Sequence, residues 1–140
     1  MKLKGLILML LVVMMVMISA VSAGSTNDTL KEGFSNDLDI SNATVYLSEK
    51  TYVEHDFTID KSVRIIGSDN TSFEGMSQNS LFTITGNVEV TFENIKFNDF
   101  TKDNNGAVLD IRDSSSVILI NCTFTNNAMA ISNYGNLEIY

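Results

Sequence analysis

The stretch Phe57–Ile66 reads FTIDKSVRII, and twenty-five residues later Phe82–Thr91 reads FTITGNVEVT. A chain that writes one phrase twice at a fixed spacing is constrained towards a repeat architecture. Phe57 and Ile59 correspond to Phe82 and Ile84, and Val63 and Ile65 to Val88 and Val90. Every match keeps an apolar residue at alternate positions. That period of two means strands with one buried face. The intervening DKS and TGN are turn residues.

The phrase returns as LDIRDSSSVIL over Leu109–Leu119, with Leu109 and Ile111 as its first pair and Val117 and Leu119 as its second. Its turn, RDSSS, is two residues longer, as a surface loop tolerates. A fourth copy opens with Met129-Ala130-Ile131 and closes with Leu137-Glu138-Ile139, twenty residues after the third. ENIKF at Glu93–Phe97 and INCTF at Ile120–Phe124 align twenty-seven residues apart. These repeats hold short strands and turns and no helical period. The fold class expected is all-β, a right-handed parallel β-helix of about three and a half coils of 20–27 residues. One coil cannot bury enough apolar surface to offset the ordering of its backbone, so coils must stack.

The phase of the apolar residues places a corner. Val117 and Leu119 point inward, and the next apolar residues are Cys122 and Phe124, so parity slips at Asn121. Val90 and Phe92, then Ile95 and Phe97, slip in the same way at Asn94. Asn tolerates the left-handed backbone that such a bend requires. Asn94 and Asn121 are therefore expected to stack at one corner, with their amides bonded along the axis.

The amino terminus reads as an address. Lys2 and Lys4 precede an apolar run from Gly5 to Ile18, and Val21-Ser22-Ala23 offers small residues for cleavage after Ala23. That is the anatomy of a signal peptide over residues 1–23, with an apolar run too short to span a membrane. The mature chain has no second apolar stretch and so no expected membrane span. It retains 140 − 23 = 117 residues, one domain's worth. Loss of the two lysines leaves seven basic residues against seventeen acids, a net charge of −10. Such a surface repels phosphate backbones, which argues against nucleic acid as a partner. Cys122 is the sole cysteine, so no intrachain disulfide forms and stability must come from packing. Residues 24–40 read as a flexible polar leader and 41–140 as the β-helix domain. TVYLSEKTYV over Thr44–Val53 is its opening strand, turn and strand. The sequence stops in NLEIY, in mid-strand, and the carboxy-terminal end is expected to be incomplete.

The apolar leader, VYLSEKTYV, VRIIG and NCTFTNN together resemble the adhesin-like surface proteins of methanogenic archaea. Those are in turn similar to the polymorphic outer-membrane proteins of chlamydiae, whose repeats carry Gly-Gly-Ala-Ile and Phe-x-x-Asn. Phe124-Thr125-Asn126-Asn127 matches the second motif, and Asn105-Gly106-Ala107-Val108 approximates the first. Phe97-Asn98-Asp99-Phe100 departs from it at the last place. The resemblance implies a secreted or cell-surface β-helix without catalysis or cofactor. Its implied partners are glycans or proteins of other cells.

The same fold class, described as pectin lyase-like, carries polysaccharide lyases and hydrolases, which cluster carboxylates on one outer face. The candidates here are Asp110, Arg112 and Asp113, with Arg64 and Lys61 on neighbouring coils. Asp110 is expected to face outward in a row with Thr58, Thr83 and Ala130, so no carboxylate row forms, and acid–base chemistry needs two placed groups. DNNG at Asp103–Gly106 lacks the spacing of a calcium loop and reads as a turn. His55, the single histidine, lacks the partners of a metal site. Cys122 reads as a small core hydrophobe. Sequons fall at Asn27, Asn42, Asn70 and Asn121. The first three are candidate glycosylation sites, whereas a corner bond would occupy Asn121. Three readings therefore stand: a glycoprotein adhesin, a carbohydrate-active enzyme on the same fold, and a non-functional fragment of a longer adhesin.

Overall fold

The computed structural model describes residues 41–76, 80–100 and 106–140. The expected signal peptide, the polar leader, the Asn27 sequon and most of the DNNG turn lie outside them. The described chain is a parallel β-helix of thirteen short strands wound onto three faces. The first face stacks β1 (Ala43–Tyr46), β4 (Val63–Ile66), β7 (Glu89–Glu93), β10 (Ser116–Ile120) and β13 (Asn136–Ile139). The second stacks β2 (Thr51–Tyr52), β5 (Ser72–Glu74), β8 (Lys96–Asn98) and β11 (Thr123–Thr125). The third stacks β3 (Phe57–Ile59), β6 (Phe82–Ile84), β9 (Leu109–Ile111) and β12 (Ile131–Asn133). All pairings are parallel, as a chain that advances one coil per turn requires.

The rows explain the repeated phrase. Phe57 lies on Phe82 and Phe82 on Leu109, while Ile59 lies on Ile84 and Ile84 on Ile111. All six are buried. The outward residue between them differs from coil to coil, being Thr58, Thr83 and then Asp110. On the second face, Tyr52, Phe73, Phe97 and Phe124 form an inward aromatic row with centroids 5.2, 6.0 and 4.8 Å apart. Phe92 joins the rows at the centre, 5.2 Å from Phe82 and 5.9 Å from Phe97. Stacked and edge-on aromatic pairs add to plain burial.

Two register assignments differ from the sequence reading. Val63 stacks on Val90 and Ile65 on Phe92, not on Val88 and Val90. Val88, Val90 and Phe92 share one parity, so alternation cannot choose among them; a slip of two keeps every side chain on its face. Packing chooses instead, by placing Phe92 in the aromatic core. The TGNVE turn is thus as long as RDSSS, and the shorter turn is DKS in the first copy.

In the fourth copy, Ile131 stacks on Leu109, Ser132 on Asp110 and Asn133 on Ile111. Met129-Ala130-Ile131 therefore does not take the place of Leu109-Asp110-Ile111, and Ala130 is not the outward neighbour of Asp110. The second strand keeps its expected register, with Leu137 on Val117 and Ile139 on Leu119. The difference is taken up at Gly135. A Cβ there would meet the Ser115 carbonyl oxygen at 2.2 Å, so a glycine lets the chain cut this corner short.

At the first corner Asn94 and Asn121 hold positive φ, 56° and 50°. Backbone bonds continue across the bend: Asn94 N donates to Ile120 O, and Asn121 N to Tyr140 O. Gly67 occupies this corner one coil earlier, with its N donating to Glu93 O. The second corner uses Asn127, the last residue of the Phe-x-x-Asn match. Its amide donates to Phe97 O at 2.9 Å and accepts from Phe100 N at 3.0 Å. It thereby satisfies two backbone groups of the coil before. Phe100, which stands where the motif has Asn, is buried instead and packs closely over Gly75.

Candidate functional site

The rows that lock the core also align outward residues. Along the third face, Thr58, Thr83, Asp110 and Ser132 form one outward row. Just beyond this face the chain turns the third corner, and a second row runs beside the first. Thr85 N donates to Ile59 O, Arg112 N to Ile84 O and Tyr134 N to Ile111 O. Thr85, Arg112 and Tyr134 are therefore corresponding residues of successive coils.

The two rows meet in an open groove of about 420 Å³ lined by Asp110, Arg112, Asp113, Ser132 and Tyr134. Arg112 bridges the rows. Its Nε and Nη2 donate to Asp110 Oδ2 at 2.8 and 2.5 Å. That bond, with the nearby carboxylate charge, raises the Arg112 pKa above its ordinary value. Asp113 accepts a hydrogen bond from Thr85 Oγ1 of the coil before, and its φ of 53° belongs to the turn. Tyr134 stands at the rim with 79% of its surface exposed. The site thus offers two carboxylates, one guanidinium, a hydroxyl and the face of an aromatic ring. Such a set can donate and accept hydrogen bonds and offer an aromatic face to a molecule in the groove. Asp110 is bound by a guanidinium rather than set against a second carboxylate.

Other sequence candidates lie elsewhere. Arg64 is on the outward side of the first face and pairs with Glu93 of the next coil at 2.5 Å. Lys61 pairs with its neighbour Asp60 at 3.0 Å. The groove brings neither to Asp110. His55 Nδ1 lies 2.6 Å from Asp56 Oδ2 in an exposed turn. No cluster of metal-binding side chains occurs among the described residues. Cys122 is half-buried against the core, and burial pushes its thiol pKa up. Asn42 and Asn70 are exposed at turns. Asn94 and Asn121 sit above a smaller hollow of about 240 Å³ with Ser68, Asp69, Lys96 and Thr123. Among the described residues no helix is long and apolar enough to cross a membrane.

Sequence reasoning found three of the five groove residues and missed Ser132 and Tyr134. Both were hidden by the two-residue shift in the fourth copy, which moved Ser132 into the row taken to hold Ala130. The signal available was Tyr134 itself, a large aromatic in the turn SNYGN where the other copies place Asp, Thr or Arg. No family model matches this chain, and no curated protein or solved structure matches it either.

Proposed function

We propose that the chain is a secreted or cell-surface adhesin-like β-helix that acts by display rather than catalysis. It engages glycans or proteins of other cells through its outward rows and corners. One observation carries this reading: the corners change length and chemistry while the buried rows stay in register. Ile59 to Val63 spans four positions and Ile84 to Val90 six, yet both pairs stack on their counterparts. A scaffold of that kind holds a constant core and presents a variable surface. The acidic charge, −8 over the whole sequence, favours solubility outside a cell and disfavours polyanionic partners. Signal-peptide anatomy in residues 1–23 supports export.

The second reading, a carbohydrate-active enzyme, draws on the presence of Asp110 and Asp113 in one groove. One experiment separates the two. Fluorescently labelled protein is applied to whole cells before and after periodate oxidation of surface glycans, and before and after surface proteolysis. Adhesion predicts saturable binding removed by one of these treatments, with no release of reducing ends from added polysaccharide. Release of reducing ends sinks the adhesion reading in favour of the enzyme. Absence of saturable binding removes it outright.

A further inference from the structure

We infer that the Tyr134 groove is a subsite for a neutral hexose ring of an oligosaccharide, an inference that rests on the adhesion reading. The ring of Tyr134, at the rim, supplies the apolar contact. Sugar rings present a face of C–H bonds, and an exposed aromatic face is the protein surface that matches it, apolar in the middle and polar at the rim. A ring 79% exposed beside four polar side chains has no packing role that explains it.

The polar groups supply the rest. Arg112 and Asp110 are already joined, at 2.8 and 2.5 Å, so the guanidinium and carboxylate present a fixed edge rather than two mobile chains. Pre-ordering lowers the cost of binding. Asp113 is tethered by Thr85 in the same way. Carboxylates accept from sugar hydroxyls, the guanidinium donates to them, and Ser132 does either. The backbone beneath is fixed by three successive coils through the third-corner bonds.

Charge sets the class of sugar. Asp110 and Asp113 against Arg112 leave the groove one negative charge, within a chain of net −8. A uronate, sialylated or phosphorylated ring meets repulsion there, and a neutral hexose does not. A volume of about 420 Å³ accommodates a single ring with part of its neighbour.

The test uses the full chain with maltohexaose, cellohexaose and mannohexaose as neutral probes and hexagalacturonate as the charged one, followed by saturation-transfer NMR and tyrosine fluorescence. At least one neutral hexasaccharide is expected to bind at about 10 mM or below. Tyr134→Ala is expected to weaken it about tenfold with an unchanged melt, since the ring touches solvent. Tyr46→Ala, on the first face and 54% exposed, is expected to change nothing. Hexagalacturonate is expected to bind more weakly, with the gap narrowing as salt rises. No binding of any neutral hexasaccharide overturns the subsite, as does equal binding by Tyr134→Ala or tighter binding of hexagalacturonate. Saturable attachment to cells that survives Tyr134→Ala would leave the adhesion reading standing and remove only this site. Loss of all attachment by the unmodified protein would remove the reading itself.

Discussion

Asn121 Nδ2 donates to Asn94 Oδ1 at 2.8 Å, joining two coils at a corner where both residues hold a left-handed backbone. Each Asn does two things there. It tolerates a φ that costs most side chains about 1–2 kcal/mol, and it makes a bond worth about 1 kcal/mol. The two parts can be separated. Asn121→Gly keeps the backbone relaxed and loses only the bond, whereas Asn121→Ala loses the bond and strains the turn. Urea unfolding should show Ala as the more costly, at about 2 kcal/mol, with Gly near half that. Equal costs would mean that the backbone carries no strain at this corner.

Gly67 occupies the same corner one coil earlier, and repeat logic suggests Asn there to lengthen the row. The structure argues the opposite. A Cβ at Gly67 would lie 2.6 Å from the Asn94 carbonyl oxygen and 2.8 Å from Thr71 Cβ. Gly67 also lacks the positive φ of Asn94 and Asn121. Gly67→Asn is therefore expected to destabilise by about 1–3 kcal/mol, the usual cost of overpacking. A higher melting temperature for this variant would show that the corner relaxes more readily than its contacts allow.

The stacked rows distinguish faces of a single strand. Ile84 is wholly buried, and Thr83 beside it points outward. Ile84→Asp leaves a charge without a partner in the core and is expected to unfold the protein. Thr83→Asp faces water but lies against Asp110 of the next coil. Like charges directly opposite cost up to about 1 kcal/mol, a penalty that salt should reduce. Circular dichroism melts at low and high salt read both effects. Equal tolerance of the two substitutions would contradict the inward and outward assignment.

How much of this was legible in the sequence follows from which physical signals survive a shift of two residues. Period-two alternation announces a buried face, and the return of Phe57 and Ile59 as Phe82 and Ile84 announces a coil. A parity slip is visible because it breaks alternation, which is how Asn94 and Asn121 marked their corner. Register within one parity leaves no such mark. Val88, Val90 and Phe92 all satisfy the pattern, and the aromatic core decides among them. In the fourth copy, the length of a turn was set by contact between Gly135 and Ser115, which lie twenty residues apart. The same shift concealed Ser132 and Tyr134, so two of the five side chains that line the groove appeared only once the coils were stacked.

Tyr52 gives the fold a pH dependence. Its ring is 1% exposed, while its hydroxyl accepts from Ser48 N at 2.9 Å and lies 3.4 Å from Ser48 O. Burial, the largest influence, raises its pKa above the ordinary value; the bonds to Ser48 act the other way, and Glu54 adds to the rise. A group whose folded pKa is raised contributes stability that is complete below its unfolded value, about 10 for a phenol. That stability is lost as pH rises through the folded value. Stability should therefore hold from pH 7 to about 9 and fall steeply above about 10. Tyr52→Phe is expected to cost about 1 kcal/mol at pH 7, for the bonds to Ser48, while flattening the alkaline fall. Urea midpoints measured across that range check both parts. An alkaline fall as steep in Tyr52→Phe as in the unmodified chain would assign it to other groups and leave Tyr52 with a packing role alone.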